Sequence, residues 1–298
     1  MVEELLLGDN PFIGVSHLAQ EKARVEFFEA SMENRVKVFE AAVEGGASGF
    51  TFSSHERNLE FLTHLATSNP RLLNEVNYYI LVPHAESYVR RANVGGTPSL
   101  MKTTVRRMFR GPPEAFRMLS SIISMRPERL AGILIEEELA PYLHLLPEGR
   151  VKGVFLHEVV TDLVVAFNLS RVLPILDAYV EERLGLSFGL ESRNFGRLCG
   201  YLSGVGYCPG YLMTPLNPLG YQMAPDKGAV EEAVEKFGGE SKIVAINIMA
   251  SGAVGLHESI EYLDERRGKI FGVTTASSKP HRIRENFQRL TQVFKSGR

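Results

Sequence analysis

The sequence predicts a closed (β/α)8 barrel, a TIM barrel of parallel strands. Three observations carry this. Eight short apolar runs rich in β-branched residues recur along the chain, helical patterns separate most of them, and the runs end in polar residues. Such near-continuous apolar runs suit strands buried on both faces, as in a parallel sheet ringed by helices. No GxGxxG lies between the first strand and the first helix, which argues against an open dinucleotide-binding sheet. At 298 residues the chain has the ordinary length of one barrel and is read as a single domain over 1–298.

Strand one is Leu5–Leu7, and the turn GDNPFIG puts Asp9 and Asn10 at its carboxyl end. Residues 11–31 have weak periodicity and are read as a cover over a site. Val36, Phe39, Ala42 and Val43 form one face of a helix from Met32 to Glu44, stopped by Gly45 and Gly46. Strand two, Gly49–Phe52, ends in SSHE and leads to a helix bearing Leu59, Leu62 and Leu65. Strand three, Asn77–Val82, ends in Pro83, His84, Ala85 and Glu86. The breakers GGTPS at 95–99 and GPP at 111–113 follow, and 98–147 is read as a largely helical excursion that enlarges the third connection. That reading takes Ile133–Ile135 as helix because EEE follows at 136–138; a strand there is the alternative.

Strand four is Val151–Leu156, with His157 and Glu158 at its end and helical sequence into Arg183. Strand five, Leu184–Leu190, ends in ESRN. Strand six, Gly210–Met213, runs into TPLNPLG, where the prolines forbid further pairing. A helix over Lys227–Phe237, capped by Gly238 and Gly239, precedes strand seven, Ile243–Ile248, and MASGAVG leads on to a helix around His257–Arg266. Strand eight, Ile270–Val273, ends in Thr274, Thr275, Ser277 and Ser278 before Pro280 opens the last helix.

Composition narrows the function classes. The 33 basic and 35 acidic residues nearly cancel, so bulk charge favours no nucleic-acid partner. Two cysteines, Cys199 and Cys208, make neither a disulfide framework nor a zinc site. No apolar run is long enough to cross a bilayer and the amino terminus has no signal-like pattern, so a cytoplasmic protein acting on a small molecule is expected.

A barrel converts position into chemistry, because active sites of this fold lie at the carboxyl ends of the strands. Collected there are Asp9, Asn10, His55, Glu56, His84, Glu86, His157, Glu158, Glu191, Arg193 and Asn194. His55, His84 and His157 fall at successive strand ends, each with a helix-capping role as the competing reading. The expected reactive centre pairs His84 with His157, with Glu191 nearby and Asp9 closing the ring. At the end of strand eight, Ser277, Ser278 and the backbone N–H groups opening the last helix suit an anion, with Arg282 within a turn. An ordinary helix start with a solvated basic turn is the plainer reading.

The opening LLLGDNPFIG, the VEGGASGF before strand two and the late segment ASSKPHRIRENFQRL together resemble the aldo/keto reductases over most of the chain. The resemblance implies an oxidoreductase that uses NADP on a small carbonyl or hydroxy substrate. It also implies that Ser277 meets the adenosine phosphate, Arg282 lies against the adenine or its 2′-phosphate, Asn286 bonds the adenine edge and Gly252 stands near the pyrophosphate. The family's aspartate position reads Thr51 here, its tyrosine region reads SSHE, its lysine position reads His84, and His157 matches its histidine. With no tyrosine, a histidine is left as the acid/base group. Two alternatives stand beside this one. A divalent-metal isomerase, lyase or hydrolase would use His84, His157, Glu158 and Glu191, on a substrate that carries phosphate if the Ser277 segment binds it. A noncatalytic relative that keeps a ligand site is the other. No lysine at a strand end serves a Schiff-base mechanism, since Lys152 and Lys269 fall at the opposite ends.

Overall fold

A computed structural model of the chain describes residues 2–13, 31–83 and 127–295. Eight strands, β1 (Glu4–Gly8), β2 (Gly49–Ser53), β3 (Asn77–Val82), β4 (Val151–Leu156), β5 (Ser187–Glu191), β6 (Tyr211–Pro215), β7 (Lys242–Ile246) and β8 (Ile270–Thr275), pair in chain order. All pairs are parallel and β8 returns to β1, so the barrel closes as expected. Closure leaves no strand edge exposed, and the apolar runs are covered on both faces.

The helices described are α1 (Asn10–Ile13), α2 (Met32–Gly45), α3 (Glu56–Ser68), α4 (Pro127–Leu145), α5 (Glu158–Ala166), α6 (Val172–Tyr179), α7 (Phe195–Val205), α8 (Lys227–Phe237), α9 (Leu256–Asp264) and α10 (Pro280–Phe294). Their apolar faces pack on the outside of the sheet around Phe39, Phe61, Leu198, Val234, Leu263 and Phe287, all buried. The interior holds a second, smaller cluster of Leu6, Tyr79, Phe155, Tyr211, Met213, Val244 and Phe271. Glu4 closes the amino end of the barrel: its carboxylate accepts Ser48 Oγ at 2.5 Å, Asn77 Nδ2 at 2.7 Å and the Tyr79 hydroxyl at 3.2 Å.

The longest connection runs from β3 to β4, and its described part is α4. Ile133 and Ile135 lie buried within this helix, which packs against α3 and α6, so the helical reading of that run holds. The stretch of the expected excursion before Pro127, with His84 and Glu86 ahead of it, lies outside the described residues, as do residues 14–30 of the expected cover.

Three strand boundaries differ from expectation. Strand six runs on through Thr214 to Pro215, which is paired with Ile246, so the first proline of TPLNPLG does not end the pairing. Strand five begins at Ser187, because Val180–Leu184 continues α6 as a wider π turn that Gly185 ends in the left-handed conformation, φ 66°. Strand seven ends at Ile246, because Asn247 at φ 49° turns the chain out of the sheet. α8 ends at Phe237 with Gly238 as its cap, as expected, at φ −68° rather than in the left-handed conformation. α2 does end on a left-handed glycine, Gly46 at φ 106°. No helix among the described residues is long and apolar enough to cross a membrane.

Candidate active site at the carboxyl end of the barrel

The strand register determines which residues face inward. Side chains of register partners in a parallel ladder share a face, and Glu191 is the partner of Met213, a member of the interior cluster. Glu191 therefore enters the barrel mouth from the end of β5. It is buried, and one of its oxygens accepts the backbone N–H of Glu158 at 3.3 Å. Burial, followed by the nearby Glu158 charge and more weakly that of Asp9, pushes its carboxyl up to about 8, against the pull of the Glu158 N–H and Arg193. At neutral pH this acid keeps its proton.

The residues that follow fasten the two neighbouring strand ends. The Ser192 hydroxyl donates to Asp162 at 2.7 Å on α5, and Arg193 pairs with Glu158 at 2.5 Å at the start of that helix. The ESRN signature thus divides its labour, with Glu191 aimed inward and its successors tied outward.

Asp9, just past β1, sits on the other side of the mouth. A single carboxylate oxygen accepts Ser53 N–H, Ser53 Oγ and Asn58 Nδ2, each at 2.8 Å. Burial raises its pKa, and the three donors oppose that rise. Thr51, where the resemblance places an aspartate, is in register with Gly8 and Tyr79 and so faces the interior. Its hydroxyl is buried and has no hydrogen-bond partner among the described residues. The Thr274 hydroxyl, in register with Leu6, is in the same condition. Buried polar groups are normally paired, so two unpaired hydroxyls facing inward mark a surface suited to a polar ligand.

Of the three histidines expected at the mouth, the two that are described, His55 and His157, cap helices. His55 Nδ1 accepts the Arg57 N–H at 3.0 Å at the start of α3, and His157 Nδ1 accepts the Val159 N–H at 3.3 Å at the start of α5. An Nδ1 that accepts a hydrogen bond leaves the neutral ring's proton on Nε2, so each imidazole is set as an oriented donor. β2 ends two residues before His55 and β4 one residue before His157, so each His-Glu pair lies across a strand-to-helix corner. The expected approach of His84 to His157 lies outside the described residues. Among those described, no three His, Cys, Asp or Glu side chains form a metal-holding group.

Residues 138 and 142, one turn apart on α4, reach the same rim. Glu138 accepts the Ser54 hydroxyl and Tyr142 donates to the His55 carbonyl at 3.0 Å. Nothing in the sequence joined these positions to the SSHE turn, which lies more than eighty residues away.

At the end of β8, Lys279 is the N-cap of α10 and its own side chain makes no capping bond. The Ser277 hydroxyl oxygen accepts the Lys279 N–H at 3.2 Å, and the Ser278 carbonyl accepts Asn34 Nδ2 at 3.0 Å. Arg282 is exposed and its guanidinium has no carboxylate partner among the described residues, whereas Arg284 pairs with Glu44. Asn286, one turn beyond Arg282, is buried with only 7% of its surface exposed. After β7, Ala250, Ser251 and Gly252 follow one another at φ 47°, 57° and 89°. Left-handed non-glycine residues carry strain, and such strain gathers at ligand sites. A Cβ on Gly252 would meet no atom within 4 Å, so the turn is open on that side.

No protein-family model and no curated protein matches the chain. Solved structures do match in fold. An aldo-keto reductase from Bacillus halodurans in its holo form superposes with a TM-score of 0.55 at 11% identity, over 97% of this chain and 87% of that one. The aldose reductase of Giardia lamblia gives 0.51 at 12% identity, over 96% and 87%. A Gox0644 mutant in complex with NADPH gives 0.50 at 13% identity, over 96% and 83%. The barrel is the one found in aldo-keto reductases, in agreement with the resemblance drawn from the sequence; at these identities the likeness concerns the fold.

Proposed function

We propose that the chain is an NADP-dependent oxidoreductase acting on a small carbonyl or hydroxy compound, with Glu191 as the acid at its mouth. The observation that carries this reading is the buried, inward-facing Glu191 carboxyl, which burial holds neutral at pH 7. A carbonyl under reduction gains negative charge on oxygen and needs a proton there. No tyrosine stands after β2 to supply it, and a neutral carboxylic acid is a sufficient donor. His157 and His55 frame the mouth as the N-caps of α5 and α3, each accepting a backbone N–H through Nδ1. Asp9, gripped by three donors, keeps the β1 and β2 ends in place.

The residues at the β8 end fit the adenosine phosphate of NADP. Arg282 has no carboxylate partner among the described residues, and the Ser277 hydroxyl, which accepts the Lys279 N–H, keeps its proton for donation at the start of α10. The open turn at Gly252 gives backbone room for the pyrophosphate. Asn286 has little exposed surface left with which to reach adenine. When bound, the cofactor supplies or accepts the hydride.

The test is a fluorescence titration of NADPH followed by its oxidation with a panel of small aldehydes and ketones. Micromolar binding is expected, with turnover that Glu191→Gln lowers about 10²-fold or more at unchanged NADPH affinity. No binding of NADPH or NADH at high micromolar cofactor removes the nicotinamide reading, and full turnover by Glu191→Gln removes the acid.

A further inference from the structure

Buried charges in a folded chain are normally paired with an opposite charge. At the barrel mouth Glu158 has Arg193 for this purpose, and Glu191 keeps its proton. Asp9 is placed differently. Its three donors, the Ser53 N–H, the Ser53 hydroxyl and Asn58 Nδ2, are all neutral, and all of them reach the one oxygen Oδ2. No donor from another described residue reaches Oδ1, and no Lys, Arg or His among the described residues forms an ion pair with this carboxyl.

Two unused acceptors lie on the same side. Thr51 on β2 is only 4% exposed and faces the interior, and its hydroxyl meets no partner among the described residues; the Thr274 hydroxyl on β8 is in the same condition. β1 runs between them and offers Gly8 in register with Thr51, where a Cβ would come within 3.2 Å of Thr274 Cγ2. A carboxyl and two hydroxyls thus line the β8, β1 and β2 side of the mouth, and Gly8 sends no side chain into the place between them. Glu191, at the end of β5, stands across the barrel. Charge along the strands points the same way. Lys242, in register with Tyr211, lies at the amino end of the barrel against the rings of Tyr211 and Phe271. The carboxyl halves of the strands put no Lys or Arg inward.

We infer that the side of the mouth formed by Asp9, Thr51 and Thr274 is a subsite for an ammonium group, so that the substrate is a short amino ketone, amino aldehyde or amino alcohol whose carbonyl or hydroxyl lies toward Glu191. The inference rests on the reading of Glu191 as the acid of the site. An ammonium has only N–H donors to satisfy, and this side supplies acceptors in Asp9 Oδ1 and two threonine hydroxyls. A cation there favours the ionised carboxyl and offsets the burial that raises the Asp9 pKa. A carboxylate or phosphate in the same place would be repelled. Among the described residues no third His, Cys, Asp or Glu joins Asp9 and Glu191 in a metal-holding group, so an organic cation fits where a metal ion would lack ligands.

Isothermal titration calorimetry at pH 7 tests the subsite without cofactor, using 1-aminopropan-2-ol, which is protonated, and propane-1,2-diol, which is neutral and of nearly the same size. The amine is expected to bind at least about tenfold tighter, the size of one hydrogen bond to a charged group. Asp9→Asn should remove that preference. Thr51→Val, close in shape to the parent side chain, should reduce it severalfold with a circular dichroism melt like the parent's. Equal affinities for the two ligands, no heat from either at high millimolar concentration, or a preference that survives in both variants overturns the proposal. Amine preference without NADPH binding removes the nicotinamide reading and keeps the subsite, whereas turnover of neutral ketones with no amine preference keeps that reading and removes the subsite.

Discussion

Glu191 accepts the backbone N–H of Glu158 at 3.3 Å, while the Glu158 side chain turns away to pair with Arg193 at 2.5 Å. The main chain of one acid thus steadies the other, and Arg193 draws off the charge that would oppose it. The β4 and β5 ends are joined by this exchange, and the mouth is left with a buried acid on its β5 side.

The raised pKa of Glu191 has a definite sign in stability. Between its ordinary value of 4.5 and its folded value of about 8, the folded chain binds more protons at this site than the unfolded chain. The site's contribution is complete below 4.5 and is lost as pH rises through 8, at up to about 1.4 kcal/mol per pH unit. Glu191→Gln removes this dependence. Urea unfolding at several pH values from 5 to 9 should show the variant gaining on the parent as pH rises; parallel curves would sink the buried neutral acid.

Asp9 is the hub that joins the ends of β1, β2 and α3. Asp9→Ala leaves Asn58, which is fully buried, without one of its acceptors, and strips two bonds from Ser53. Loss of about 2–3 kcal/mol is expected, read as a lower urea midpoint with unchanged slope. A loss below half a kcal/mol would show that the hub carries little.

Gly45 lies where α2 crosses α10, the most extensive helix contact described. A Cβ there would fall 2.7 Å from the Arg284 carbonyl oxygen and 2.9 Å from Phe287 Cβ, so backbone must move. Gly45→Ala should cost about 1–3 kcal/mol through overpacking, despite alanine's better helix propensity. A melting temperature equal to the parent's would refute the close approach.

Arg282→Ala should weaken NADPH binding about tenfold, near 1.4 kcal/mol, with thermal stability unchanged because the side chain is exposed. Inorganic phosphate should compete with the parent and less with the variant. Equal affinities would move the phosphate contact away from α10, and phosphate binding without nucleotide binding would point to a phosphorylated substrate.

The barrel was legible in the chain because its determinants are local. Strands such as IVAINI and helices such as KGAVEEAVEKF are specified by runs and periods a few residues long, and eight repeats leave few ways to bury them. Position at a strand end likewise put Asp9, His55, His157 and Glu191 at the mouth, since residue number along a parallel strand maps onto height in the barrel. The left-handed turns at Gly185 and Asn247, which moved two strand boundaries, leave a weaker mark because their sequence neighbours remain apolar.

What each mouth residue does was decided only by tertiary structure. The sequence shows histidine next to glutamate at 55–56 and 157–158, but only the turn into α3 and α5 makes each imidazole a cap through Nδ1. Glu191 and Glu158 are the same residue type at neighbouring strand ends; inward register buries one, and Arg193 neutralises the other. Protonation follows from desolvation and from charges brought together across the barrel, and those depend on contacts between segments tens of residues apart, which no local pattern encodes.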